Sequence, residues 1–435
     1  MLLLLFVASI AFISARVRAV QLICPRYTDV CHLKDWNVAS DGYAILDQLN
    51  DTTGLLSLNR LLTPILDGPM LRRLAPFGNL TVYRSDVETL HLTTDCTLQS
   101  ISLRRTELSS IIFETNAHLH TLDIVIAPLA AVPFTLAKLE NLKQLVISVT
   151  HIAELDLTVF YPLKELLHLE FTQNQLASLV GAPPGERVAS KVKKILIRLN
   201  PLTTVDLNLF APFAELEFLD LSGNRIKSLS GSLRAHQLRH ITLESNALRK
   251  LNLCTWDGLG SVEWLELSFN RLQQIPACLQ KLPNVTELLF DHNRLTHLPL
   301  ESFADLAQLR ELHLTFNQIA TISFGSPLPD GLRRLELFHN CLFHSDVALL
   351  RCIRIRTQPY TLSHSPTTRI PLTSAGKTGL YKDKEKMDPE HYYYYYYYYY
   401  FNYYYQHYYN TYTCFYTHEA YSHSIDLTVE KCWNE

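Results

Sequence analysis

The sequence predicts an α/β solenoid: a right-handed horseshoe or arc of stacked coils, with a parallel concave sheet and disulfide-stapled caps. Three observations predict it. An eleven-residue pattern built on three aliphatic positions, an asparagine and a fourth aliphatic position returns at near-constant spacing. An apolar leader opens the chain. Cysteine pairs stand where the ends of a stack need closing.

The clearest copies are LLHLEFTQNQL (166–176), VKKILIRLNPL (192–202), LEFLDLSGNRI (216–226), LRHITLESNAL (238–248), VEWLELSFNRL (262–272), VTELLFDHNRL (285–295), LRELHLTFNQI (309–319) and LRRLELFHNCL (332–342). Their asparagines, from Asn174 to Asn340, follow one another at 26, 24, 22, 24, 23, 24 and 23 residues. This is the leucine-rich repeat pattern, in which each unit is a short strand plus a return segment. Three weaker copies precede them, with Thr106, Ala127 and Thr150 at the asparagine position. The count is eleven repeats over 98–342.

A polar amide inside an apolar run needs a reason. Each coil turns sharply after its strand and leaves backbone N–H and C=O groups that must be paired. An asparagine side chain carries both a donor and an acceptor, so a stack of them can pair the backbone of successive coils. These asparagines are read as structural.

Residues 2–13 (LLLLFVASIAFI) are too short to span a bilayer, which takes about 20 residues. With the small residues up to Ala19 they read as a signal peptide over 1–19, and the expected location is extracellular. Residues 20–97 are expected to form an N-terminal cap, 343–356 a C-terminal cap, and 357–435 a polar tail. The tail holds a tract with 15 of the 23 tyrosines between 392 and 412, read as a translated tandem DNA repeat without function. Asn50, Asn79 and Asn284 head glycosylation sequons.

Nine cysteines suit an oxidising compartment. Cys24 and Cys31 lie just after the leader, where the first turn needs a cap, and Cys341 and Cys352 bracket the run after the last repeat; each pair is expected to be bridged. Cys254 and Cys278 each lie eight residues past their asparagine, so they are expected one coil apart and bridged. Cys96 has no evident mate.

Catalytic chemistry is not legible. PLTSAGKT (371–378) lacks the first glycine of a phosphate-binding loop, and no H-E-x-x-H, C-x-x-C or G-x-S-x-G occurs. His118 and His120 lack a third ligand beside them. No metal, no cofactor and no enzyme activity are expected. A net charge of −3 gives no reason to expect a nucleic-acid partner. Strand residues between the aliphatic positions face the concave side. There Phe218, Asp220, His240, Thr242, Trp264, Glu266 and Asp291 form an aromatic patch rimmed by acids, the candidate protein-binding site.

The leader, the early cysteine pair, the repeats of 22–26 residues and the closing cysteine pair resemble secreted insect leucine-rich repeat proteins, most of all the mosquito leucine-rich repeat immune proteins. That resemblance covers 1–356. It implies a role in extracellular innate immunity, with a complement-like thioester protein or a pathogen surface as partner, and disulfide-linked dimers. The family's coiled coil has no heptad counterpart after 356. The other reading is the ectodomain of a cell-surface adhesion or receptor protein whose anchor is missing.

Overall fold

The computed structural model describes residues 19–26, 28–49, 53–181, 190–323, 325 and 328–342. The signal-peptide run, Asn50, Cys352, the cap at 343–356 and the tail lie outside the described residues. The chain divides into two units at Asn340/Cys341, and the fold below is that of the first.

Its spine is a fifteen-stranded sheet. Gln21–Ile23 pairs antiparallel with Val30–Lys34, and the Cys24–Cys31 bridge closes that hairpin. From Val30–Lys34 on, every neighbour is parallel, through Leu55–Asn59, Asn79–Ser85 and Ser100–Thr106 and on to Arg334–Glu336. The pairing joins homologous positions without slippage, as Phe218↔His240↔Trp264↔Glu287 shows. One face of the sheet packs its aliphatic pairs into a continuous core, Leu219 and Leu221 or Leu265 and Leu267, each at most 1% exposed. The other face is open.

The boundary expected at residue 98 does not mark a change in architecture. The strands at Val30–Lys34, Leu55–Asn59 and Asn79–Ser85 are rungs of the same parallel ladder. Their aliphatic pairs are buried as in later coils: Cys31 with Leu33, Leu56 with Leu58, and Leu80 with Val82. Trp36, Leu61 and Ser85 stand at the asparagine position. The sequence pattern missed these coils because it was anchored on the amide, and the core here is filled by other side chains.

Return segments explain the 24-residue period. Short 3-10 turns at Leu157–Phe160, Leu207–Phe210 and Leu300–Phe303 drive Phe160, Phe210 and Phe303 into the core, each fully buried. Asp156 and Asp206 start two of them by accepting from the backbone N–H two residues on, which pairs groups a helix start otherwise leaves open. Cys254 and Cys278 sit on adjacent coils and are bridged across a Cα–Cα distance of 5.1 Å, within the range a disulfide accepts. Cys341 is also disulfide-bonded, while Cys96 is a free, buried thiol.

The asparagine column works as expected. The Asn270 amide donates to the carbonyls of Leu243 (2.8 Å) and Leu267 (3.1 Å), and its oxygen accepts from Leu248 N–H (3.0 Å). Asn246, Asn293 and Asn317 repeat this arrangement between their own coils. The residue just before each amide takes the left-handed conformation, as at Ser245, Phe269, His292, Phe316 and His339, with φ between 53° and 56°. That region costs an ordinary residue about 1 kcal/mol, and the amide pairing holds the turn in place. Gly223 (φ 67°) stands there in one coil, where an added Cβ would meet the Leu199 side chain at 2.4 Å.

Candidate functional site

The open face of the sheet carries every candidate residue. One residue before each first buried strand aliphatic, Phe218, His240 and Trp264 stand side by side on three adjacent strands. The Phe218 and His240 rings lie 5.6 Å apart, tilted by 35°. All three are half-buried, with the rest of each ring left to solvent. Parallel register makes this row: homologous positions on neighbouring strands fall about 5 Å apart. A single unmatched insertion would scatter it.

The acids occupy the two parallel columns beyond. Thr242 and Glu266 sit in the first, and Glu244 and Asp291 in the second, all half-buried. Asp220 corrects the expectation. It is only 6% exposed, accepts from Ser222 N–H at 2.9 Å and lies 3.7 Å from the Arg198 guanidinium. Its carboxylate is a buried strut of the turn and not part of the accessible rim. Asp291 is similarly occupied in part: it accepts from the Thr315 N–H and hydroxyl, each at 2.7 Å.

Sequence reasoning missed Glu244 and Glu287 as members of the site. No cation pairs with Glu244, Glu266 or Glu287 among the described residues, whereas their neighbours on either side are compensated. On one flank Arg198 bridges Glu170 (3.1 Å) and Asp220. On the other, His313 lies 3.0 Å from Glu336 and 3.2 Å from Glu311. The electrostatics follow from that difference. Burial, together with Asp220's charge, pushes Glu244 up to about 7. Burial likewise raises Glu266 to about 7, against a hydrogen bond from Ser268, with Glu244 and Asp291 adding repulsion. Glu287 is raised by burial and by Glu311, against the pull of His313 and His240. At Glu170 burial works the same way but is overcome by His168, Thr172 and Arg198, which hold it down to about 2. Burial would lower His313, yet Glu336, Glu311 and Asp291 raise it to about 9.

Phe269 and Phe316 belong to a stack. The rings Phe269, His292, Phe316 and His339 lie parallel at 4.2, 4.3 and 4.1 Å. Each occupies the left-handed position of its coil, so the signal was present in the sequence as F-H-F-H before four successive asparagines. Burial and the neighbouring His339 bring His292 down to about 4, which keeps its ring neutral within the stack.

The sequon residues differ. Asn284 is exposed on the segment leading into the Glu287–Leu289 strand. Asn79 lies within the sheet and donates its amide to the Gly54 carbonyl at 2.9 Å, a poor place for a glycan. Among the described residues no helix is long and apolar enough to cross a membrane, and no cluster of histidine, cysteine or carboxylate groups could hold a metal ion.

Comparison with known proteins bears on the repeats. Models of the leucine-rich repeat family match residues 215–235, 236–295 and 275–319. Lumican of Rattus norvegicus is 32% identical over 108 residues, which is 24% of this chain and 31% of lumican. Adenylate cyclase of Neurospora crassa is 43% identical over 76 residues, 18% of this chain and 3% of the cyclase. The chain thus spans a minor part of these relatives. Among solved structures, a leucine-rich repeat protein of Leptospira interrogans aligns with a TM-score of 0.44 at 19% identity, over 66% of this chain and 91% of that one. Residues 215–319 are therefore leucine-rich repeats by sequence, and the ladder from Val30 to Glu336 is a leucine-rich repeat solenoid.

Proposed function

We propose that this chain is a secreted, non-enzymatic recognition or scaffold protein of extracellular innate immunity, which holds a protein ligand on the open face of its sheet around Trp264. The observation that carries the reading is the row Phe218–His240–Trp264, three rings presented to solvent in register on a rigid parallel sheet. Aromatic anchors on a preorganised surface lose little conformational entropy on binding and dominate interface energetics. The apolar leader and two disulfides support an extracellular location. The immune role, and a complement-like thioester protein or pathogen surface as partner, rest on the resemblance to the mosquito proteins.

Replacing Trp264 by alanine tests the site. A central indole contributes about 2 kcal/mol or more to an interface, so affinity for a protein ligand should fall at least tenfold. Trp264 is half-buried against the sheet, so a loss of a few degrees in Tm is expected as well. Calorimetric binding and thermal melts on the same preparation separate the two effects. A large fall in Tm with affinity intact would make the indole a packing residue and move the site elsewhere.

A further inference from the structure

The open face is uneven in charge. In the three columns one residue before, one after and three after each first buried strand aliphatic, no lysine or arginine stands between Arg198 and Arg334, while Asp220, Glu244, Glu266, Glu287, Asp291 and Glu311 all do. Arg198 and His313 neutralise the two ends of this stretch. Among the described residues the middle pair, Glu244 and Glu266, has no cation acting on it and adjoins the three aromatic rings, with Glu287 beside it drawn only by the charges of His313 and His240. The whole chain has a net charge of only −3, so the imbalance is local to this face. A fold gains nothing from packing unpaired carboxylates side by side in half-buried positions; like charges there oppose folding.

We propose that the occupant of this face is an extended cationic segment of a partner protein, whose lysine or arginine side chains cross the Phe218–His240–Trp264 row and end among Glu244, Glu266 and Glu287. The proposal rests on the reading of this face as a protein-binding site and adds the chemistry of what it binds. The geometry suits such a segment. A guanidinium or ammonium stem lies along aromatic faces favourably, and the carboxylates stand one or two columns beyond the rings, where the head of a long side chain would reach. Alternate residues of an extended segment point the same way, so basic residues spaced by two can address the face together.

The proton equilibria act in the same direction. Glu244 and Glu266 are held near 7 by burial and by mutual repulsion with Asp220 and Asp291, and an arriving cation favours their ionised forms. Facing them are Phe218 and Ser222 on the preceding strand, His240 and Thr242 between, and Trp264, Ser268, Glu287 and Leu289 beyond. Binding should therefore release protons and tighten as pH rises from 6 to 8.

Three fluorescein-labelled twelve-residue peptides test this by anisotropy: one with alternating lysine and arginine, one with those residues replaced by glutamine, one with glutamate. The cationic peptide should bind at least tenfold more tightly than the neutral one, and several-fold more tightly at pH 8 than at pH 6. Glu244→Gln with Glu266→Gln should weaken it about tenfold. A charge-matched control, Glu140→Gln with Glu154→Gln at exposed positions off this face, should change it less than twofold. If the neutral peptide binds as well as the cationic one, and Trp264→Ala abolishes both, the cationic proposal fails and the binding site stands. Cationic binding insensitive to Trp264→Ala and to the Glu244/Glu266 pair would overturn the proposal and count against the site. Absence of binding up to millimolar cationic peptide also overturns the proposal.

Discussion

Asn270→Ala is expected to destabilise the solenoid by about 3 kcal/mol or more. Asn270 is 1% exposed, and its oxygen is the hydrogen-bond partner found for Leu248 N–H, in the coil before. Alanine leaves that buried donor unpaired, at about 1–3 kcal/mol, and removes the amide that ties the Leu243 and Leu267 carbonyls together. It also opens a cavity. Asn340→Ala provides the contrast. Asn340 makes equivalent bonds to Leu314, Leu337 and Ile319, but it is half-exposed, so water can replace part of what is lost. Asn270→Thr should fall between wild type and alanine, because Thr150 occupies the same position in an earlier coil and still reaches Asn174 through its hydroxyl at 2.6 Å. Chemical denaturation of the four proteins checks the order. Repeats couple to their neighbours only, so Asn270→Ala is also expected to broaden the transition or split it. Equal effects at Asn270 and Asn340 would show that the amide column does not carry the load assigned to it.

How far the sequence revealed the fold can be judged at particular residues. The coils from 98 onward were legible because strand register, core side chains and the amide repeat together and reinforce one another. The coils at Val30–Lys34, Leu55–Asn59 and Asn79–Ser85 were not. Two aliphatics separated by one residue, as in Leu56 and Leu58, occur in any strand, and without the amide the period had no anchor. The disulfide from Cys254 to Cys278 was legible because equal offset from two asparagines fixes a spatial neighbour. The aromatic row was legible for the same reason: register converts spacing into adjacency. Asp220 was misjudged because pattern gives the face a side chain leaves from, and not how deeply its neighbours cover it. Here Arg198 and the turn at Ser222 enclose the carboxylate. The unpaired state of Glu244, Glu266 and Glu287 was beyond pattern too, since it depends on where the nearest cations of other coils reach.

Glu244→Gln combined with Glu266→Gln is expected to raise Tm at pH 8 by about 3 °C or more, while leaving it nearly unchanged at pH 4.5. Each carboxyl moves from 4.5 in the unfolded chain to about 7 in the folded one. Below 4.5 both states hold the proton, and the group costs nothing. Between 4.5 and 7 the unfolded state ionises first, so stability falls as pH rises. Above 7 the loss is complete, at most about 3 kcal/mol for each group taken alone. The pair is not additive, because Glu244 is one of the charges that raises Glu266. For a solenoid of about 300 residues, about 2 kcal/mol corresponds to about 3 °C. Other groups titrate over the same range: His292, brought down to about 4, makes stability rise with pH between 4 and 6.5, and His313, raised to about 9, makes it fall above 6.5. Both are common to wild type and variant, so the difference in Tm between the two proteins, followed from pH 4.5 to 8, isolates the glutamates. A flat difference would mean that these carboxyls are solvated in both states. A difference of the opposite sign would mean that a cation inside the fold stabilises them. The expected result carries a functional consequence: the same two substitutions that stabilise the free protein should weaken its hold on a cationic segment. A surface kept at a cost to stability and relieved by its ligand is the physical signature of a binding site.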